Sequence, residues 1–598
     1  MKNFSASSAT PSADVSTPRV SLSNELFLGT VRWDLLAAFP QQEEGDRRVG
    51  GEAVAEFTRF LHERVDPTGT DLSRELPKGV VEELRARGCL RLMVASEDGG
   101  RGLSPYNTFR LIETAASWSL PVANVMGIGN GFGAGAYLRM PLDGPLREVL
   151  RDHVAAGNVS GRADTEPAGA GNSRQTTVAT PLASGGGYRL NGEKVFIGNA
   201  VIADLLDVTA TLHTVEGPRS VSFFVDTTTP GLEVVGQQDF MGLRGAPIGH
   251  VRLTDVEVPA SRMLGGAELG RLAREVKEFI YLARTLSVVP PSLAIARLCL
   301  EWSREFTGRR TIDGRPLGAF PEIQRIIALS MADTYAAESL VRWTLLSQDT
   351  DPLHEHAMLK NVASETCWRV LERTMGLLGG EGYETADSKA RRGARPLPLE
   401  RFHRDARGLR ISGGVDYLVD LLAGQLRLTD CYYARTYRQA PAGNAAEAGQ
   451  RLAAILGGVN AGHVEYVTAQ AAALAWACQT LTDRHPDQAD GFQQQHTVLT
   501  LHRIAAELLT MSTALARSAA EDTTGASGTR ELVDIHCAAA RHRLTGFWEE
   551  LDDGYDEQYA DVAGRWLAGR GHEELLGDVI TTVPRTGRGA HRRQGVSL

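Results

Sequence analysis

The residues best suited to chemistry in this chain are small, and they come in clusters. Thr165, Gly169, Ala170, Gly171 and Asn172, in TEPAGAGN, suit a loop whose backbone N–H groups approach a phosphate closely, because little side chain covers them. Gly379, Gly380 and Gly382, in GGEG, form a second such loop, and Arg310 carries a guanidinium able to make paired hydrogen bonds to phosphate. Taken singly, a glycine-rich loop marks a tight turn and a lone arginine a surface charge. GIGNGFGAG at 127–135 has no GxGxxG phase and follows a helical stretch, so it is expected to be close helix packing. His403 keeps no recognisable spacing to a carboxylate or nucleophile and is read as a helix or loop residue.

The elements that must position these residues follow from length and pattern. A chain of 598 residues, 42% hydrophobic, can fill three or four packed units. Net charge −10 argues against nucleic acid as a partner. The tail RTGRGAHRR, the only basic cluster, reads as a solvated terminus. Six dispersed cysteines without a CxxC pair point to no disulfide framework, no metal cluster and a reducing, cytoplasmic setting. Residues 1–21 are rich in Ser, Thr, Ala and Pro and are expected to be disordered; no run of about 18 apolar residues suggests a transmembrane segment.

Texture divides the rest. Residues 22–154 are helical in period, and 155–268 break into short β-rich runs, a barrel or sandwich. Residues 269–428 return to long helices, with Pro290 and Pro291 expected to kink or interrupt the first. Residues 429–598 form a further helical extension. The fold class is multidomain α+β, in the order helical, β, helical bundle, helical extension.

Several segments, in order, resemble one family: SLSNELFLGTVRWDLLAAFPQ, VASEDGGRGLS, TEPAGAG, LNGEKVFIGN, MGLRGAPIGHVRLTDVEVPASRMLG, RRTIDGRPLG, LLGGEGYE and LERFHRDA. Together they are similar to the acyl-CoA dehydrogenases, over about residues 22–428, and the extra helical extension resembles the very-long-chain branch. The resemblance implies FAD as cofactor, a small-molecule acyl substrate and a homo-oligomer in which Arg310 and the Gly379–Gly382 loop reach a neighbour's pyrophosphate. It places Thr165, Gly169, Gly171, Asn172, Phe196, Ile197, Gly198, Val415 and Asp416 along the flavin. A flavin needs its ring edge beside a rigid strand and its pyrophosphate met by N–H groups and a cation, and these residue types supply that.

The departures from the family pattern shape the expected function. Gly413 stands where the family carries its catalytic Glu, and Ala283, before the retained Arg284, occupies the alternative base position. Phe196-Ile197-Gly198 lacks the hydroxyl of the family's Trp-Ile-Thr; Gly376 and Asp313 replace its usual Gln and Phe. Three explanations compete: a non-catalytic, flavin-free scaffold; a dehydrogenase with a relocated carboxylate such as Glu166, Asp416 or Glu381; or a substrate that needs no deprotonation. In the last, a β-keto acid, free or carrier-bound, loses carbon dioxide to give the same enolate. Space left by the absent hydroxyl would then admit dioxygen for an oxygenating step, a chemistry resembling that of epoxyketone synthases on this fold. Arg284 is the candidate substrate contact, and SKARRGA at 388–394 has no role in this scheme.

Overall fold

A computed structural model describes residues 19–580 apart from 173, 266–271, 349, 442, 524–527 and 553–555. The disorder expected for 1–21 falls mostly outside that range, as does the basic tail. Ser21, however, is buried, and its Oγ accepts from Asn24 N at 3.2 Å to cap helix Leu22–Phe27, every residue of which is buried.

Eight strands form the middle of the chain: β1 Ser160–Ala163, β2 Val178–Pro181, β3 Gly187–Ile197, β4 Leu205–Thr214, β5 Gly217–Asp226, β6 Leu232–Gln237, β7 Gly249–Pro259 and β8 Met263–Leu264. Their order is β6-β7-β3-β2-β4-β5-β8, with β1 alongside β4. The sheet is mixed, since β4 runs parallel to β1 and β2 while the other pairings are antiparallel. Residues 205–211 of β4 are buried without alternation, as a strand covered on both faces should be. Leu190, Val208, Phe223, Val251 and Val256 belong to the core of this domain. The β3–β7 register shifts between Lys194 and Ile197, and there Phe196 takes φ +61° and stands 58% exposed. An irregularity of this kind re-aims a side chain out of the pleat.

Helix Ala273–Arg309 is the central helix of the bundle, and it continues through Pro290 and Pro291 instead of ending there. Val288, Val289, Leu293 and Ile295 around the prolines are fully buried, so packing overrides the local preference. By length and composition Arg274–Arg309 could cross a bilayer, but 78% of its most apolar window is buried within the protein, the position of a core helix.

Helix Leu120–Gly131 packs on it backbone to backbone. A Cβ built at Gly127 would lie 3.1 Å from Ser287 Cα, and one at Gly131 would lie 2.9 Å from Ala283 Cα. GIGNGFGAG is thus a packing motif, as its sequence context indicates. The extension contributes helices Ala445–Leu456, Gly458–Arg484 and Gln495–Thr523. From Thr545 the chain is a separate small unit, with helix Asp556–Leu567 and the turn Glu573–Leu575.

Gly131→Leu should lower stability by about 1–3 kcal/mol through overpacking against the Ala283 backbone. A urea unfolding curve checks this; an unchanged midpoint would contradict the close contact.

Candidate active site

The loop Ser412–Val415 joins helix Leu399–Leu409 to helix Asp416–Leu428. Gly413 and Gly414 both have positive φ, +71° and +110°, a conformation that favours glycine. A Cβ at Gly413 would lie 3.4 Å from Arg284 Cγ, so the loop faces the retained arginine. Lys360, fully buried on helix Leu353–Leu378, fixes it from beneath. Its Nζ donates to Gly414 O at 2.9 Å, to Arg410 O at 3.4 Å and to Asp416 Oδ1 at 3.0 Å. Burial pushes the Lys360 amine below its ordinary value, with Asp416 acting the other way. Arg410 closes the clamp at 2.6 Å from Asp416 Oδ2.

The three carboxylates weighed as relocated bases are all committed. Asp416 is held by Lys360 and Arg410. Glu166, 3% exposed, accepts from Lys194 Nζ at 2.9 Å, Thr176 N at 2.5 Å and Thr177 N at 2.9 Å. Burial alone would raise it, but these hydrogen bonds hold it down at about 2. Glu381 pairs with Arg309 at 2.5 Å, and that bond lowers it. At the alternative base position, Ala283 is fully buried and packs closely against the backbone of Gly131, and its methyl carries no proton acceptor.

Asp164, directly after β1, is a carboxylate that sequence reasoning missed. It accepts from Thr209 Oγ1 at 2.8 Å and from Gln175 Nε2 at 3.2 Å. Its charge acts on Arg284, a half-buried guanidinium lowered by burial and supported by Tyr281 and Asp164. The Arg284 Cζ lies 5.7 Å from the Tyr281 ring. The acid immediately before Thr-Glu-Pro was the available signal for Asp164. For Lys360 it was a lone cation in the apolar run HAMLKNVA.

The expected cofactor residues fall into two groups. Val195 N donates to Thr165 O at 2.9 Å, which lays the Thr165–Asn172 loop beside the end of β3, where Phe196, Ile197 and Gly198 lie. Gly169 (φ +101°) and Gly171 are exposed, with open space where a Cβ would point. Bare, solvent-facing backbone beside a strand edge and an uncovered aromatic fits a flavin and its pyrophosphate. In the second group the Arg309–Glu381 pair ties the Arg310 turn to the Gly379–Gly382 loop. Arg310, Gly379 and Gly380 are exposed, while Gly382 packs on Met375. Asp313 occupies a hairpin turn at φ +50° between Thr311–Ile312 and Arg315–Pro316. One expectation is corrected: the space of the hydroxyl missing at Gly198 is not open. A Cβ there would lie 2.9 Å from Ile128 Cγ1, so an apolar side chain fills it. His403 sits on its helix with Nε2 2.9 Å from Glu372 Oε1, a structural contact.

Lys194→Met would leave Glu166 buried and uncompensated, at a cost of about 3–5 kcal/mol. The stability that Glu166 contributes is complete above its ordinary 4.5 and is lost as pH falls toward its folded value of about 2. Unfolding of wild type and variant from pH 7 to pH 3 should therefore show the gap narrowing as pH falls, since protonation relieves the unpaired carboxyl of the variant and wild type loses its own contribution below about pH 4.5.

Comparison with known proteins agrees with this architecture. Residues 52–141, 162–256 and 275–420 match the N-terminal, middle and C-terminal domain models of acyl-CoA dehydrogenase. Probable acyl-CoA dehydrogenase FadE10 of Mycobacterium bovis and of Mycobacterium tuberculosis is 30% identical over 410 residues, 67% of this chain. The alignment spans 62% of that relative's length. The 3-sulfinopropanoyl-CoA desulfinase of Advenella mimigardefordensis is 28% identical over 58% of this chain and 84% of its own. An acyl-CoA dehydrogenase of Bacillus anthracis, solved in complex with FAD, shares the fold at TM-score 0.73 and 20% identity, over 89% of this chain and 91% of its own. Three domain models of one family, met in order, decide the matter: the chain belongs to the acyl-CoA dehydrogenase family.

Proposed function

We propose that this chain is an FAD-dependent oxidoreductase that forms its reactive enolate without a carboxylate base, from a β-keto acid presented free or on a thioester carrier. The observation that carries the reading is the Gly413-Gly414 loop, held rigid by Lys360 and facing Arg284, while Glu166, Asp416 and Glu381 are committed to ion pairs. A positioned base contributes about 100- to 10,000-fold to removal of a proton next to a carbonyl. A substrate that supplies the same electron pair by losing carbon dioxide does not need one.

In that reaction Arg284 binds the substrate's carbonyl oxygen. As the bond from the α-carbon to the carboxylate breaks, its electron pair moves into the carbonyl, and the guanidinium stabilises the enolate oxygen. The glycines leave room for the departing carboxylate, and no proton is transferred. FAD, when bound, supplies hydride acceptance from the adjacent carbon. Thr165, Gly169, Gly171, Asn172, Phe196, Ile197, Gly198 and Val415 would hold it, with Asp416 fixing the helix start. Arg310, Gly379, Gly380 and Gly382 of a neighbouring copy would complete the site in a homo-oligomer. The relative named as a desulfinase offers a parallel within the family, a thioester substrate relieved of an acidic group. An oxygenating step loses the support of an open space at Gly198 and is tested by oxygen consumption alone. Asp164 favours a second reading, a dehydrogenase whose base has moved there, since its charge reaches Arg284.

Purified protein should be yellow and should release carbon dioxide from a β-keto acid; colourless protein that refuses added FAD would establish the scaffold alternative. Gly413→Glu should lower turnover of the β-keto acid at least about tenfold by crowding Arg284. A gain on a simple acyl thioester instead would show that only the base was missing. The kcat/KM profile should lack an acid limb between about pH 5 and 8. A limb abolished by Asp164→Asn would establish the relocated base.

A further inference from the structure

The segment between the GGEGY loop and helix Leu399–Leu409, which includes SKARRGA, is a built wall. Helix Ala386–Arg391 is capped by Thr385, whose Oγ1 accepts from Ser388 N at 3.2 Å. Lys389, 1% exposed, donates to Glu381 O at 2.7 Å and to Leu397 O at 2.5 Å, so both ends of the segment are pinned by one ammonium. Thr385, Ala386, Asp387 and Pro398 form one side of a cavity of about 700 Å³. The opposite sides come from the N-terminal helices, the loop after β6 and helix Leu399–Leu409. Neither Gly413 nor Arg284 borders it.

Apolar surface is supplied by Leu72, Met241, Met375 and Tyr383. The acids of the wall are committed. Asp71 takes both Nη atoms of Arg404, at 3.0 and 2.8 Å; Glu400 accepts from Arg404 Nε at 3.2 Å; Asp387 pairs with Arg391. His403 is engaged by Glu372. Two guanidiniums keep donors in reserve. Arg401 makes no hydrogen bond or ion pair with any described residue; it rests 5.0 Å over the Phe402 ring, with the charges of Asp405, Asp71 and Glu400 acting on it from farther away. Arg244 reaches Asp71 only at 3.9 Å, and its buried Nε has no acceptor among the described residues. An arginine with donors unmet beside a cavity of small-molecule size is a site for an acceptor that the chain does not provide.

We propose that this cavity is a second ligand site, separate from the reacting loop, for a small molecule with a carboxylate or phosphate head and an apolar body. The head meets Arg401 and Arg244, and the body lies on Met241, Met375 and Tyr383.

The test uses full-length holoenzyme titrated calorimetrically with 4-bromobenzoate, 4-bromophenyl phosphate and, as neutral control, 4-bromobenzyl alcohol. At least one anion should bind and the alcohol should not, and the tighter anion identifies the head group. Crystals soaked with that probe should show bromine in the cavity. Arg401→Met should weaken binding at least tenfold with less loss in Arg401→Lys, and Arg244→Met should weaken it independently. The proposal is overturned if both anions fail at millimolar concentration, if bromine lies elsewhere, if a neighbouring copy's side chains fill the cavity, or if Arg401→Met binds unchanged.

Discussion

A single buried ammonium organises the Gly413-Gly414 loop of this protein. Lys360 bonds the carbonyls of Arg410 and Gly414 and the carboxylate of Asp416, so it joins the end of one helix to the start of the next across two glycines. Glycine pairs lose much conformational freedom on folding and would otherwise sample many geometries. Held this way, the absence of a side chain becomes a fixed volume in front of Arg284. A buried lysine needs its charge met, and here the loop meets it, so the constraint acts in both directions.

The same logic recurs at the Thr165–Asn172 loop. Lys194 is fully buried beneath Glu166, and Glu166 in turn receives the backbone N–H groups of Thr176 and Thr177. The Glu of the Thr-Glu-Pro sequence therefore anchors the loop, and the exposed glycines beyond it are left free to approach a ligand. In both places a paired interior charge positions a neighbouring stretch of bare backbone, which is how a chain with few reactive side chains can still present a defined site.

Much of this was legible in the sequence, for identifiable reasons. The order of short signatures gave the fold, because each marks a turn or strand end with its own residue requirement. The packing role of GIGNGFGAG followed from its helical context. What escaped were features made by tertiary packing. Pro290 and Pro291 fail to end their helix because the residues around them are sealed in the core. Ile128 filling the space at Gly198 is a contact across 70 residues of chain, with no local signature. Lys360 and Asp164 lie outside any recognised signature, and their roles emerge only from the loop and arginine that they face.

The glycine helix has a further bearing on the two prolines. Pro290 has no N–H, so the carbonyl of Leu286 lacks its ordinary helical donor. That carbonyl is the one that a Cβ at Gly127 would approach to 3.2 Å. The bare face of one helix is laid over the gap in the other's ladder, so a defect in local geometry becomes a docking register, and the two segments can be altered safely only as a pair.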